Sequence, residues 1–337
     1  MQEKKIDLIS YGRSSIDLYS QEPGAPFEEI PGFHAFVGGS PLNIAVGCSR
    51  LGLKAALLTG VGRDKIGDFI LNFLQKEGVI TEKIPVIDGA RSSAVVLGIE
   101  PPDRFPLVYY RDNCADSQIT MDHVLAAEIE KTRMLEFSGT ALNIEPTRSA
   151  AFLAAEIAVK NKVPVILDLD FRADQWHDIR AFGVTVRAFM KNVSIVLGTE
   201  EEVLAAYMSD QSQLHITHQQ ISAPEIVGNI DEAIEGILSQ GVEALIMKTG
   251  SRGAKVYLPD GSVQEVPGFP VEVLNILGAG DAFAAGFIYG LLKGWDFYKS
   301  CRMGNACGAW VVTRLGCANF NPYEKEILDF IESKGGF

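Results

Sequence analysis

The chain has 337 residues, of which 47% are hydrophobic and 22% charged, and a formal net charge of -13. That length and composition fit a soluble protein with a large core, and the acidic balance, with no basic stretch to offset it, excludes nucleic acid as a partner. An acidic ligand would have to be met by a local cluster of arginine or lysine.

Residues 6–11 read as a buried strand ending at Gly12, with Asp17 following in Gly12-Arg-Ser-Ser-Ile-Asp17. Residues 20–37 carry three prolines and two glycines, too broken for a long helix but compatible with short edge strands. Val37-Gly38-Gly39-Ser40-Pro41 leads into a helix over 42–51, stopped by Gly52. A strand over 55–59 precedes an amphipathic helix over 64–78, with Ile66, Phe69, Ile70, Phe73 and Leu74 on one side. Residues 93–99 and 107–111 read as two strands joined by a proline-rich loop. With residues 12–36 they are expected to form a small β element outside the main sheet.

From residue 120 onward, helix and strand alternate. Strands are expected at 134–138, 165–168, 195–197 and 244–248. Helices are expected at 122–131, 146–161, 178–192, 200–207 and 231–240. This alternation predicts a mostly parallel sheet covered by helices. Polar residues 208–229, with His215 and His218, read as a surface insertion bearing solvated histidines. A hairpin is expected around Pro259-Asp260-Gly261, then helices over 282–292, 297–313 and 323–332. No repeat or linker divides the chain, so one domain with a β-lid is expected, the lid formed by approximately 12–36 and 91–111.

Five scattered cysteines, none in a CxxC pair, argue against a zinc site or redox dithiol and for a reducing compartment. The charged N-terminus lacks an apolar signal core, and no uncharged apolar run of about 18 residues exists, so a cytoplasmic protein without a membrane partner is expected.

The chemistry centres on Leu277-Gly278-Ala279-Gly280-Asp281, followed by an apolar run to Leu292. A glycine turn opening a helix presents unpaired backbone N–H groups at the positive end of the helix dipole, a seat for phosphate. An aspartate there is placed to take a proton from a hydroxyl that attacks a phosphate. Competing nucleotide motifs are missing: there is no GxxxxGK[ST], no protein-kinase catalytic set, and no GxGxxG after the first strand.

Two separated segments resemble the signatures of the ribokinase-like carbohydrate kinases, the PfkB family. Gly38-Gly39-Ser-Pro-Leu-Asn43 resembles the N-terminal signature, and Gly278-Ala279-Gly280-Asp281, about 240 residues later, the C-terminal one. Between them, Gly12-x4-Asp17, Asp168-Leu-Asp170-Phe-Arg172, Gly198-Thr-Glu-Glu201 and Lys248-Thr249-Gly250-Ser-Arg-Gly253 are similar to further family segments. The resemblance implies a three-layer α/β sandwich with a mostly parallel central sheet and a small β-lid, and transfer of the γ-phosphoryl group of ATP to a sugar, with Mg²⁺ as cofactor. It makes Asp281 the base and the N–H groups of Gly278, Ala279 and Gly280 the anion seat. Asp17, Gly38, Gly39 and Asn43 would bind sugar. Thr249, Gly250, Gly253 and Asn305 would bind nucleotide, and Glu201 would hold water on Mg²⁺.

Tyr109, Arg111 and Arg172 fall at substrate-facing positions of the family. Arginine forks suit carboxylates, which a neutral sugar lacks, so the segment resembles kinases of keto-deoxy sugar acids. A 2-keto-3-deoxygluconate kinase is the nearest alternative, then a fructokinase, a nucleoside kinase and a sugar-binding regulator on the same fold; the retained Asp281 argues against a pure binder. Two departures stand out. Asn275 replaces the aspartate that usually helps hold a monovalent cation, and Gly198 replaces the usual asparagine of the magnesium motif. Apolar lid strands in 93–110 point to a homodimer through the lid.

Overall fold

A computed structural model describes residues 4–100, 105–215 and 224–337. An eight-stranded sheet forms its centre. It comprises β1 (Ile6–Tyr11), β4 (Ala55–Leu58), β9 (Thr132–Ser138), β10 (Val165–Asp168), β11 (Ile195–Thr199), β14 (Ala244–Lys248), β15 (Gly253–Tyr257) and β16 (Val263–Pro267). Their spatial order is β16-β15-β14-β11-β10-β9-β1-β4. The pairs from β4 to β14 are parallel, while the β15–β16 hairpin closes one edge in antiparallel register. β4 and β10 are buried at every position, as expected for parallel strands covered on both faces, and hence carry near-continuous apolar runs.

Helices cover both faces. On one side α3 (Met121–Ala127), α4 (Thr147–Lys160), α5 (Ile179–Met190), α6 (Glu200–Tyr207) and α7 (Ile230–Leu238) bury Leu135, Phe137 and Leu167 of the sheet. On the other, α1 (Ser40–Arg50), α8 (Ala279–Leu292), α9 (Phe297–Val311) and α10 (Glu324–Ser333) bury Leu8, Ile166 and Ile246. α8 is apolar nearly all round because it is sandwiched between the sheet, α1 and α9. α2 (Lys65–Lys76) packs its Ile70 and Leu74 against α1 and β4.

A second, four-stranded sheet has the order β3-β2-β7-β8, from β2 (Ser15–Ser20), β3 (Phe33–Gly38), β7 (Ser93–Leu97) and β8 (Leu107–Tyr110). Its inner face buries Tyr19, Val95, Leu97 and Phe105 with Cys317; its outer face leaves Val108 and Tyr110 43% and 62% exposed. Residues 101–104 of the connecting loop lie outside the described residues. Two short ladders complete the strands: β5 (Val61–Gly62) with β6 (Val86–Ile87), and β12 (Leu214–His215) with β13 (Glu225–Ile226). His215 is exposed, and His218 lies outside the described residues.

Several helix boundaries differ from the sequence expectation; α8 begins at Ala279 rather than 282, so the Gly280-Asp281 pair lies inside its first turn. α1 begins at Ser40, not 42, because Pro41 sits in the first turn, where its missing N–H costs nothing. The helix expected over 122–131 breaks at Glu128, which takes a left-handed φ of 58°, and resumes as a 3-10 turn over Ile129–Lys131.

Candidate active site

The parallel strands end on one edge of the sheet at Tyr11, Ser138, Asp168, Thr199 and Lys248, the edge where open α/β sheets bind ligands. Above it, between the two sheets, a cavity is lined by Arg13, Asp17, Gly39, Ser40, Asn43, Tyr109, Asp170, Arg172, Gly278, Asp281 and Cys317.

Gly278 is the N-cap of α8, with φ 80°, and a Cβ there would lie 2.7 Å from Cys317 Sγ. Only glycine combines that backbone with that neighbour. The N–H of Ala279 reaches Ile276 O at 3.3 Å, while those of Gly278, Gly280 and Asp281 have no partner among the described residues. The turn therefore leaves three amides open, those of Gly278, Gly280 and Asp281, while that of Ala279 is engaged. Asn43 on α1 donates to Asp281 Oδ2 at 2.7 Å. Burial raises the pKa of Asp281, Asp170 adds to this, and the Asn43 amide opposes it.

Asp17 is brought in by β2. Ser15 donates to its Oδ1 at 2.6 Å and in turn accepts from Arg13 at 2.9 Å. Gly38, opposite Ser15 in the register, leaves the space that the Asp17 carboxylate fills; a side chain there would overlap it. Gly39, with φ 106°, lies against the backbone carbonyl of Arg13. The structure thus gathers Asp17, Gly38, Gly39, Asn43 and the Gly278–Asp281 turn in one place.

Arg172 also lines the cavity, with NH2 2.7 Å from Asp170 Oδ1. Asp170 is fixed in turn by Ser138 at 2.7 Å and Thr140 at 3.1 Å. Tyr109 extends inward from β8, its ring 5.2 Å below the Arg13 guanidinium. Arg111 does not join them. It pairs with the fully buried Asp116 at 2.7 Å and donates to Thr140 O and Gln175, outside the cavity lining. Alternation along β8 turns Tyr109 inward and Tyr110 outward, but Arg111 lies past the strand's end, where Asp116, Thr140 O and Gln175 capture it.

Glu201 also lies outside this cluster. It is exposed, and the acid of that segment that turns inward is Glu202. Thr199 caps α6, and the reciprocal bond from Thr199 N to Glu202 at 2.8 Å draws Glu202 back over the strand end. There it lies 3.8 Å from Lys248, whose Nζ contacts Asp168 at 2.9 and 3.1 Å. Burial, Glu202 and Asp170 push the Asp168 carboxyl up against the pull of Lys248, and the paired acids hold the Lys248 ammonium charged. A Cβ on Gly280 would sit 3.4 Å from that Nζ, so the ammonium flanks the anion seat.

Of the four residues expected to bind nucleotide, Thr249 and Gly250 lie on the turn after β14, with Gly250 exposed. Gly253 has a packing reason to be glycine: its φ is 104° and a side chain would strike Val266 O. Asn305 spends its amide N–H groups on Val266 O and Pro267 O at 3.1 and 3.0 Å, tying α9 to β16. Sequence reasoning missed Arg13, Lys248 and Glu202. The signal for the first two was positional: Lys248 closes a parallel strand, and Arg13 stands two residues past the end of another.

The family described as pfkB family carbohydrate kinase matches residues 5–324. A 5-dehydro-2-deoxygluconokinase of Clostridium tetani is 33% identical over 334 residues, covering 99% of this chain and 95% of its own. One from Bacillus thuringiensis is 32% identical over 333 residues, covering 98% and 96%. Among solved structures, an E. coli chain described as a ribokinase II, in complex with ATP and Mg²⁺, superposes with a TM-score of 0.84 at 23% identity over 97% of this chain and 99% of its own. A Pyrococcus horikoshii sugar kinase in complex with ATP gives 0.79 at 26%, over 97% and 98%.

Proposed function

This chain belongs to the pfkB family of carbohydrate kinases and is an ATP-dependent sugar kinase, and we propose that its acceptor is 5-dehydro-2-deoxygluconate, phosphorylated on its terminal hydroxyl. One observation carries the chemistry: Asp281 stands at the open amides of α8 and faces the same cavity as Asp17 and Arg172. Asp281 takes the proton of the terminal hydroxyl. The oxygen forms a bond to the γ-phosphorus of ATP as the bond to the β-phosphate oxygen breaks, and ADP departs. The N–H groups of Gly278 and Gly280 hold the phosphoryl oxygens, and Lys248 adds a fixed positive charge beside them. Asp17 and Asn43 bind sugar hydroxyls.

Mg²⁺ bound with the nucleotide would neutralise phosphate charge. Both oxygens of Asp168 are taken by Lys248, so Glu202, 3.8 Å from that ammonium, is the carboxylate that would hold the ion through water, as suits an ion that takes few protein carboxylates. No cluster of three or more metal-binding side chains exists among the described residues. Thr249 and Gly250, on the loop that ends β14, remain the nucleotide-facing residues of this proposal, and Asn305 supports that side by fixing α9.

The five cysteines are free and buried, which supports a reducing, cytoplasmic setting. No helix among the described residues is long and apolar enough to cross a membrane. The outer face of the four-stranded sheet, with Val108 and Tyr110 exposed, is the surface through which two copies would pair. Sedimentation of the wild type and of Tyr110→Glu tests this: a dimer converted to monomer is expected, and a wild-type monomer refutes it.

The decisive assay couples ADP release to a panel of sugar acids and neutral sugars. The highest kcat/KM is expected on 5-dehydro-2-deoxygluconate. A preference for fructose or another neutral sugar would overturn the acceptor assignment while leaving the kinase intact.

A further inference from the structure

We propose that Arg13 is the residue that recognises the carboxylate of the sugar acid, the task the sequence assigned to the pair Arg111 and Arg172; this rests on the acceptor reading above. The placement begins with Gly12, whose φ of 143° turns the chain from the main sheet into the second one. A Cβ at Gly12 would lie 2.9 Å from Pro41, so the turn is tight and delivers the next side chain to the junction between the sheets. Arg13 is only 8% exposed there, yet lines the cavity.

The three arginines differ in what they have left to offer. Arg111 is committed to Asp116, Thr140 O and Gln175; its remaining NH2 is buried without a partner, but away from the cavity lining. Arg172 is tied at both ends of its fork, by NH2 to Asp170 and by NH1 to Phe171 O at 2.8 Å. Arg13 is tied at one end only. Its NH1 donates to Ser15, its guanidinium plane is positioned over Tyr109, and its Nε is buried with no partner.

A buried charged donor without a partner is costly, and a bound group that pairs with it recovers that cost. A neutral hydroxyl offers one oxygen, whereas a carboxylate offers two to a planar fork. Ser15 accepts from Arg13 and itself donates to Asp17, so the group that binds the acid stands beside the group that binds the sugar hydroxyls; the bond between Ser15 and Asp17 is not one that Arg13 makes. Arg172 then acts as a second, fixed positive charge on the same cavity, and Tyr109 supports the Arg13 plane from below.

The test compares wild type, Arg13→Met, Arg13→Lys and Arg111→Met on 5-dehydro-2-deoxygluconate and on fructose, with ADP affinity measured by calorimetry as the control for an intact fold. Arg13→Met is expected to raise KM for the acid about ten- to a hundred-fold, the loss of a charged hydrogen-bonding group. Slow turnover of fructose should change by no more than about threefold, and ADP affinity should hold. Arg13→Lys keeps the charge without the fork and should recover part of the loss. Arg111→Met should leave the KM for the acid unchanged. An acid KM that survives in both Arg13 variants, or losses of equal proportion on acid and fructose, overturns the assignment. If Arg13→Met does not fold, an unchanged acid KM in Arg13→Lys has the same force. A wild type inactive on every sugar acid would refute the acceptor reading itself, and the role of Arg13 with it; a wild type active on the acid but indifferent to Arg13 would refute only the latter.

Discussion

The side-chain amide of Asn43 donates to Asp281 at 2.7 Å across 238 residues of chain. It joins the two glycine-bearing segments at their working ends, because α1 packs along α8. The bond is also electrostatic, since it favours the ionised carboxylate against the burial that raises the pKa of Asp281. Removing the amide therefore raises that pKa further. In Asn43→Ala the acidic limb of the kcat–pH profile should move to higher pH. A shift to lower pH, or none, would show that Asp281 is not the group titrating.

Asp281→Asn removes the base but keeps the shape of the site. The expected loss in kcat is about 10²–10⁴-fold, with ADP affinity retained in calorimetry. Near-normal turnover would end the case for Asp281 as base.

Lys248 is a fixed cation beside Gly280, held by Asp168 and Glu202. Its benefit is felt when negative charge moves onto the transferring phosphoryl group. Lys248→Met should lower kcat about 10²-fold while altering the KM for sugar much less. A variant that loses sugar affinity but keeps kcat would place the ammonium in substrate binding instead.

Arg111 belongs to stability. Its partner Asp116 is wholly buried, so Arg111→Met strands a carboxylate in the interior. Breaking such a pair costs about 3–5 kcal/mol, to be read from urea unfolding at low temperature. Unchanged stability together with a raised KM for the acid would restore Arg111 to the substrate.

Asn275 is fully buried and its Oδ1 accepts from Leu277 N at 2.8 Å, which fixes the orientation of the amide. The NH2 end is then left without a partner, and an N–H donor repels a cation that the usual aspartate would attract. Activity in sodium-free buffer should hardly respond to potassium. A large activation would mean that backbone carbonyls alone suffice to bind the ion.

The glycine segments and the parallel alternation were legible in sequence because both depend on local rules. A helix-opening glycine turn and buried strands of continuous apolar residues read the same in any context. The side chains that the sequence left open depend on turn and cap geometry, which residue type alone does not specify. Arg111 and Arg13 each follow a strand end, and nothing local separates them. Arg111 is diverted by Asp116, which a turn returns to it from five residues on. Among Glu200, Glu201 and Glu202, the inward one is chosen by Thr199 as the cap, and a one-residue change in that start would choose another. The break at Glu128 has no glycine or asparagine to announce it.

Gly38 and Gly39 form an uninterrupted peptide run from β3, in the outer sheet, to α1, which rests on α8. On the function proposed above, sugar and nucleotide would address parts of one covalent lever: Asp17 fills the space beside Gly38, and Asn43, one turn into α1, donates to Asp281 at the start of α8. Any rotation about that pivot is felt at both ends. Linkage then requires reciprocity: the factor by which a bound sugar acid tightens the nucleotide equals the factor by which the nucleotide tightens the sugar acid.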